Sequence, residues 1–121
     1  MDNIIETIDL LTKKFKSALS GMKYRAKKKG YGFDVTFDDL RDLFVKQNAK
    51  CFYSGLPFDF SDPMGTISID RVDNSLGYTK ENVVWCRFGV NSLKSSRTYE
   101  DLVEICKKVV FHQPKWGVLS R

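Results

Sequence analysis

The sequence predicts an α+β fold, a small unit of two strands and a helix flanked by helices on its N-terminal side and by one helix on its C-terminal side. Three observations carry this. Ile4, Ile8, Leu11, Phe15, Leu19 and Met22 recur at steps of three and four, the apolar stripe of an amphipathic helix. From Thr66 to Val72 the chain alternates, with Ile67 and Ile69 between polar partners, and then enters a loop rich in Asp, Asn, Ser and Gly. Asn82 to Trp85 is short, apolar and β-branched, the expected partner of that strand, and a helical pattern follows it.

Taken in order, the first helix should run through the basic segment and end at Gly30 and Gly32, since glycine adopts the left-handed conformation that closes a helix. Thr36 followed by Asp39 resembles a capping box, and Phe37, Leu40, Leu43 and Phe44 supply the buried face of a second helix to about Ala49. Cys51 to Phe60, CFYSGLPFDF, mixes aromatic residues with Ser-Gly and Leu-Pro turn signals and reads as a tight turn or hairpin. After the two strands, a helix is expected from about Cys86 to Ser95. A last helix starts near Thr98, which with Asp101 again resembles a capping box, and should bury Leu102, Ile105, Cys106 and Val109. The tail from Phe111 to Arg121 reads as packed extended chain or partial disorder, and the sequence does not choose between them.

At 121 residues the chain predicts a single domain, 1–121, with a basic helical part at 1–50, the strand-strand-helix core at 51–96 and the last helix with its tail at 97–121. No apolar run approaches the roughly 18 residues that span a bilayer, so no membrane role is indicated. The N-terminus lacks the basic start and cleavage site of a signal peptide, and a cytoplasmic location is expected. In a reducing compartment Cys51, Cys86 and Cys106 should remain thiols.

The formal charge of +5 is moderate, but its distribution is uneven. Lys13, Lys14, Lys16, Lys23, Arg25, Lys27, Lys28 and Lys29 follow one another without an acid between them. Such a face attracts a polyanion and releases its counterions, the sequence-independent part of nucleic-acid binding; a plain solvated helix face is the alternative.

The segment SIDRVDNSLGY, Ser68 to Tyr78, with Asn82, Asn91 and Lys94 downstream, resembles the ββα-metal core of the HNH, or His-Me finger, endonucleases. The likeness extends upstream through YGFDVTFDDLRDLFVKQNAKCFYSGLPF, covers roughly residues 20 to 110, and is closest to phage-type members. It implies a divalent-metal-dependent endonuclease acting on DNA with Mg²⁺ or Mn²⁺, although the sequence does not separate DNA from RNA or fix the oligomeric state. Asp70 is then the anionic ligand of the cation and Asn91 the amide ligand from the facing helix, because Mg²⁺ prefers hard oxygen donors. Asn82 holds the catalytic loop through side-chain bonds to backbone, and Lys94, one turn after Asn91, reaches phosphate. Without the resemblance, Asp70 reads as a turn cap, Asn91 as a helix residue bonded to nearby backbone, and Lys94 as a solvated cation.

Two departures from the family stand out. Where relatives carry a histidine base after the metal-binding aspartate, this chain has Arg71, which holds its proton at any physiological pH and can clamp phosphate but not take a proton. Three readings stay open: hydroxide from bound water or from Asp73 as base, His112 folding back as base, or a core that has lost catalysis and kept DNA binding. The second departure concerns zinc. Relatives carry two Cys-x-x-Cys knuckles, whereas here only Cys51 and Cys86 remain, so no structural zinc is expected and Phe52, Tyr53, Phe58, Phe60 and Trp85 are expected to fill the volume instead. The other function classes are a catalytically inactive DNA-binding module and a protein-binding regulator.

Overall fold

Proline is absent from the first thirty residues, and the computed structural model, which describes residues 2–112, opens with the long helix α1 (Asp2–Lys29). Gly30 ends it at φ +74°, and the Tyr31 N–H donates to the Ala26 carbonyl at 2.9 Å, the backbone closure that satisfies a last-turn carbonyl. The second helix, α2 (Phe37–Lys46), starts at a complete capping box: Asp39 N–H donates to Thr36 Oγ1 at 3.1 Å and Thr36 N–H to Asp39 Oδ2 at 2.9 Å. It stops earlier than Ala49 because Asn48 and Ala49 take left-handed φ of 56° and 57°.

Two antiparallel strands, β1 (Ile67–Arg71) and β2 (Val83–Arg87), form the sheet, with Ile69 opposite Trp85 and Asp70 opposite Val84. Arg87 still pairs with Ile67, so α3 (Phe88–Lys94) begins two residues later than expected and Cys86 belongs to the strand. The last helix is α4 (Tyr99–His112). Thr98 Oγ1 accepts the Asp101 N–H at 3.1 Å, which is the forward half of a capping box. Between Cys51 and Phe60 the chain turns without regular strands, held by Cys51 N–H to the Leu56 carbonyl at 2.8 Å and a single bridge of Lys50 with Pro57. The tail beyond His112 lies outside the described residues.

The hairpin is covered on both faces, which is why Val83, Val84, Trp85 and Cys86 are all buried. Ile69, Val83 and Trp85 face α1 and α2, where they join Phe15, Met22, Ala26 and Leu40 in one core. Trp85 is its centre. Its ring stacks on Phe15 with centroids 5.0 Å apart, and its indole N–H donates to the Leu40 carbonyl at 2.9 Å. Gln47 acts as a short extra strand, donating from Nε2 to the Trp85 carbonyl at 2.8 Å and accepting the Trp85 N–H on Oε1 at 2.9 Å. Phe44 stacks on Phe58 at 5.8 Å, but Phe52 is exposed and does not fill the interior as expected.

The opposite face of the hairpin carries α3, and α4 packs on α3 alone among the elements. Here the expectation for α4 fails. Leu102 is buried, but Ile105, Cys106 and Val109 are exposed. The reason is length: at 1.5 Å per residue a seven-residue helix spans about 10 Å and cannot cover a fourteen-residue helix of about 21 Å.

Candidate functional site

Because β1 pairs only with β2, its other edge is free, and an open cleft runs along it. All five residues of β1 line this cleft. One wall is α1, which presents Lys14, Ser17, Ala18, Gly21 and Arg25. Lys14, Ala18, Gly21 and Arg25 follow at steps of four, three and four, with Ser17 four before Gly21, so all five share a single helix face, and the small residues in its middle leave room between the two cations. The other wall holds Asp70, Asn91, Ser95 and Ser96, with Arg71, Asn74, Tyr31 and Tyr78 closing one end.

Asp70 is buried and strongly held. Its Oδ2 accepts the Tyr53 hydroxyl at 2.5 Å and lies 3.1 Å from the Lys94 ammonium. Lys94 is 0% exposed and also donates to the Arg71 carbonyl at 3.3 Å. The expected contact of Lys94 with phosphate is therefore corrected: the α3 stub lies flat on β1, and i, i+3 spacing from Asn91 turns Lys94 inward onto Asp70. Burial first, and then the bond to Asp70 and its charge, raise the Tyr53 hydroxyl above its ordinary value, so Tyr53 stays a donor. Asn91 donates from Nδ2 to Ser68 Oγ at 2.8 Å and to the Ile69 carbonyl at 3.4 Å. Among the described residues no protein donor bonds Asp70 Oδ1 or Asn91 Oδ1.

Among the described residues no three His, Cys, Asp or Glu side chains come together. Asp70 is the one carboxylate in the cleft, and Lys94 already offsets its charge. One carboxylate oxygen and one amide oxygen fit a cation such as Mg²⁺ that keeps most of its shell as water and phosphate, and do not fit one that needs a full protein cage.

The loop between the strands is pinned from both ends. Asn82 Oδ1 accepts the Asp73 N–H at 2.9 Å, and its Nδ2 donates to the Asp73 and Gly77 carbonyls at 3.0 and 2.9 Å. Arg71 Nη1 donates to the Asn74 and Leu76 carbonyls at 2.9 and 2.8 Å, while its guanidinium lies 4.0 Å from the Tyr31 ring centroid. Arg25 reaches the same end, donating from Nε to the Tyr78 hydroxyl at 2.9 Å.

Neither candidate base meets the cleft. Asp73 is exposed and caps its own turn, accepting the Ser75 hydroxyl at 2.6 Å and the Ser75 N–H at 2.9 Å. Those bonds, hydroxyl first, hold its carboxyl below the usual range and make it a weaker base. His112 is the exposed last residue of α4, which touches only α3 among the elements. Of the basic run, Lys14 and Arg25 line the cleft; Lys13, Lys16, Lys23, Lys27, Lys28 and Lys29 are exposed on other parts of α1. Lys23 and Lys28 sit over the Phe33 and Tyr24 rings at 5.9 and 5.8 Å.

The cysteines differ among themselves. Burial, with the charge of Asp70 next, pushes the Cys86 thiol well up. For Cys51 burial acts in the same direction but is outweighed by hydrogen bonds from Ser54, Arg87 and Tyr53, so its thiol falls below its ordinary value. Its sulfur accepts the Ser54 and Arg87 N–H groups at 3.4 and 3.3 Å.

Tyr53, Ser68, Tyr31 and Tyr78 were not foreseen as site residues. Ser68 was legible, because period two along β1 places it on the same face as Asp70. Tyr53 carried no local signal, since it meets Asp70 only through the tertiary fold.

The chain is similar to an uncharacterized 29.0 kDa protein in the dda-modA intergenic region of Enterobacteria phage T4, with 32% identity over 92 residues. That alignment covers 76% of this chain but 36% of the phage protein, so the chain spans about a third of that relative's length. No family's sequence model matches the chain, and no solved structure matches it.

Proposed function

We propose that this chain is a divalent-metal-dependent endonuclease that hydrolyses phosphodiester bonds in DNA. The observation that carries the reading is the cleft itself, where Asp70 and Asn91, from two elements of a ββα unit, line one wall and Lys14 and Arg25 the other. A divalent cation bound there would supply charge neutralisation at the phosphate and at the leaving oxygen. Asp70 and Asn91 would hold it. Lys14 and Arg25 attract and orient the phosphodiester backbone, and Ser17, Ala18 and Gly21 leave the width it needs. Tyr53 and Lys94 fix the Asp70 carboxylate in one orientation, which is the positioning a preorganised site requires. Among the described residues no histidine lines the cleft and Asp70 is its one carboxylate, so in this reading the proton of the attacking water passes to solvent. The similarity to a phage protein is in keeping with a phage-encoded enzyme.

One observation favours a second reading, a non-catalytic DNA-binding module: Lys94 already occupies Asp70 Oδ2 as a cation. Cleavage of supercoiled plasmid with Mg²⁺, Mn²⁺, Ni²⁺, Zn²⁺ or EDTA separates the two. Asn91→Ala is the variant of choice, because removing Asp70 would leave Lys94 buried without its partner. We expect cutting with Mg²⁺ or Mn²⁺, none with EDTA, and at least a tenfold loss in Asn91→Ala. If no metal supports cutting but binding weakens steeply with salt, the module reading holds. Neutralising Lys14 and Arg25 should then lower the slope of log affinity against log salt by about 0.9 per lost phosphate contact. Absence of any salt-sensitive DNA binding would leave the basic helix to an acidic protein partner.

A further inference from the structure

Among the described residues, helix α4 is the least covered element. Of its fourteen residues Leu102 is buried and Val103 half-buried, while Ile105, Val109, Val110 and Phe111 are exposed, Phe111 by 81%. Beside it Leu93 and Tyr99 are exposed too, and an apolar groove runs between α4 and a wall of Tyr53, Val90 and Leu93. A surface of this kind is rare on an isolated chain, and its apolar area is left for another helix to cover.

The charges along α4 say which helix. Glu100, Asp101 and Glu104 occupy its first half, and Lys107, Lys108 and His112 its second. A copy laid parallel would set acid against acid and base against base. A copy laid antiparallel sets each acidic half against a basic half, and the helix macrodipoles also oppose favourably. We propose that α4 is the self-association surface of this chain, and that its occupant is the α4 of a second copy running antiparallel about a two-fold axis near Cys106. Such an interface is isologous and closes on itself as a dimer.

Cys106 lies at the middle of α4 and is exposed, whereas Cys51 and Cys86 are buried. In a full antiparallel overlap the middle of one helix meets the middle of the other, so Cys106 approaches its own copy. The pairing also reaches the cleft. Tyr53, which forms the groove wall, stacks on Tyr99 with centroids 5.8 Å apart and donates to Asp70, so a partner seated in the groove braces the residue that holds Asp70.

The test reads the mass in solution of the full chain by analytical ultracentrifugation, together with oxidation by diamide, which takes two electrons and two protons from a pair of thiols. We expect a concentration-dependent dimer, lost in Val110→Glu with the helical circular dichroism unchanged. Diamide should give a covalent dimer with the parent and none with Cys106→Ser. The charge pattern has its own readout. A variant with both α4 lysines made acidic (Lys107→Glu with Lys108→Glu) and one with both α4 glutamates made basic (Glu100→Lys with Glu104→Lys) should each dimerise at least tenfold more weakly than the parent, and should pair with each other when mixed. A chain that stays monomeric throughout overturns the proposal and points to the residues after His112 as the cover. A dimer that survives Val110→Glu, or that forms no Cys106 cross-link, places the interface elsewhere and overturns it as well.

Discussion

Replacing Lys94 by methionine tests the centre of the site, because the change keeps the unbranched stem of a fully buried side chain and removes its terminal ammonium, with the charge and the donors. At 3.1 Å, with an effective dielectric of about 20, the Lys94–Asp70 attraction is roughly 5 kcal/mol before either partner's desolvation is counted. Most of that is cancelled by burial, so the pair contributes little against two well-packed neutral residues. Breaking it from one side is another matter. Lys94→Met leaves the Asp70 carboxylate with Tyr53 alone, and an uncompensated buried charge of this kind costs about 3–5 kcal/mol. At about 2.1 cal/mol/K per residue, a chain of 121 residues has an unfolding entropy near 250 cal/mol/K, so the melting temperature should fall by about 12–20 °C. Asp70→Asn should cost a similar amount by stranding the ammonium. The double variant, neutral on both sides and still bonded to Tyr53, should recover most of the loss, giving a coupling energy of at least about 2 kcal/mol. Urea denaturation of the four proteins measures the cycle. A Lys94→Met cost below about 1 kcal/mol, or two losses that simply add, would refute the buried pair and return Lys94 to the surface.

Gly77→Ala should destabilise by at least the 1–3 kcal/mol usual for overpacking, since an added Cβ would stand 2.5 Å from the Gly32 carbonyl oxygen and 2.7 Å from its nitrogen; a melt within 2 °C of the parent would contradict that close approach. At concentrations where the chain is monomeric, native protein should titrate one thiol quickly with Ellman's reagent, Cys106, and release Cys51 and Cys86 only on unfolding; fast reaction of two or more would show the strand face to be open. Hydrogen bonds from Thr36, backbone first, hold the Asp39 carboxyl below its usual range in the fold. Its stabilising contribution is therefore present above the unfolded value of about 3.9 and fades as pH falls through and below it, so the urea midpoint should decline below about pH 4 and decline less in Asp39→Ala.

The fold was legible wherever one face of an element meets one neighbour. The apolar stripe of α1, the Thr36–Asp39 box and the alternation of β1 are local patterns; α1 and β1 appear with their ends within a residue or two and α2 starts at its box, though it ends three residues short of Ala49. The α4 stripe reads just as clearly, yet of its four residues Leu102 alone is buried, because period alone does not say whether a partner is long enough to cover it. The site follows the same division. Asp70, Asn82 and Asn91 stand out through the family resemblance, and all sit on or beside the strand-strand-helix unit. Tyr53 and the inward turn of Lys94 depend on α3 lying flat against β1, which no window of sequence contains.

Arg71 shows how one residue can satisfy two demands at once. A loop of eleven residues between antiparallel strands exposes many carbonyls, and its shape must be fixed if Asp70, at its root, is to keep one orientation. The guanidinium meets this with two bonds from Nη1 to Asn74 and Leu76, while its flat face rests on Tyr31. An imidazole is too short to reach those carbonyls and the tyrosine together. Under the proposed function, arginine at this position gives a brace where a histidine would give a titrating group, and the same positive charge at the end of the cleft would add to Lys14 and Arg25 in drawing phosphate toward Asp70. Bracing and charge thus pull in one direction, and the Asn74 and Leu76 carbonyls that the loop leaves to be satisfied account for an arginine beside Asp70.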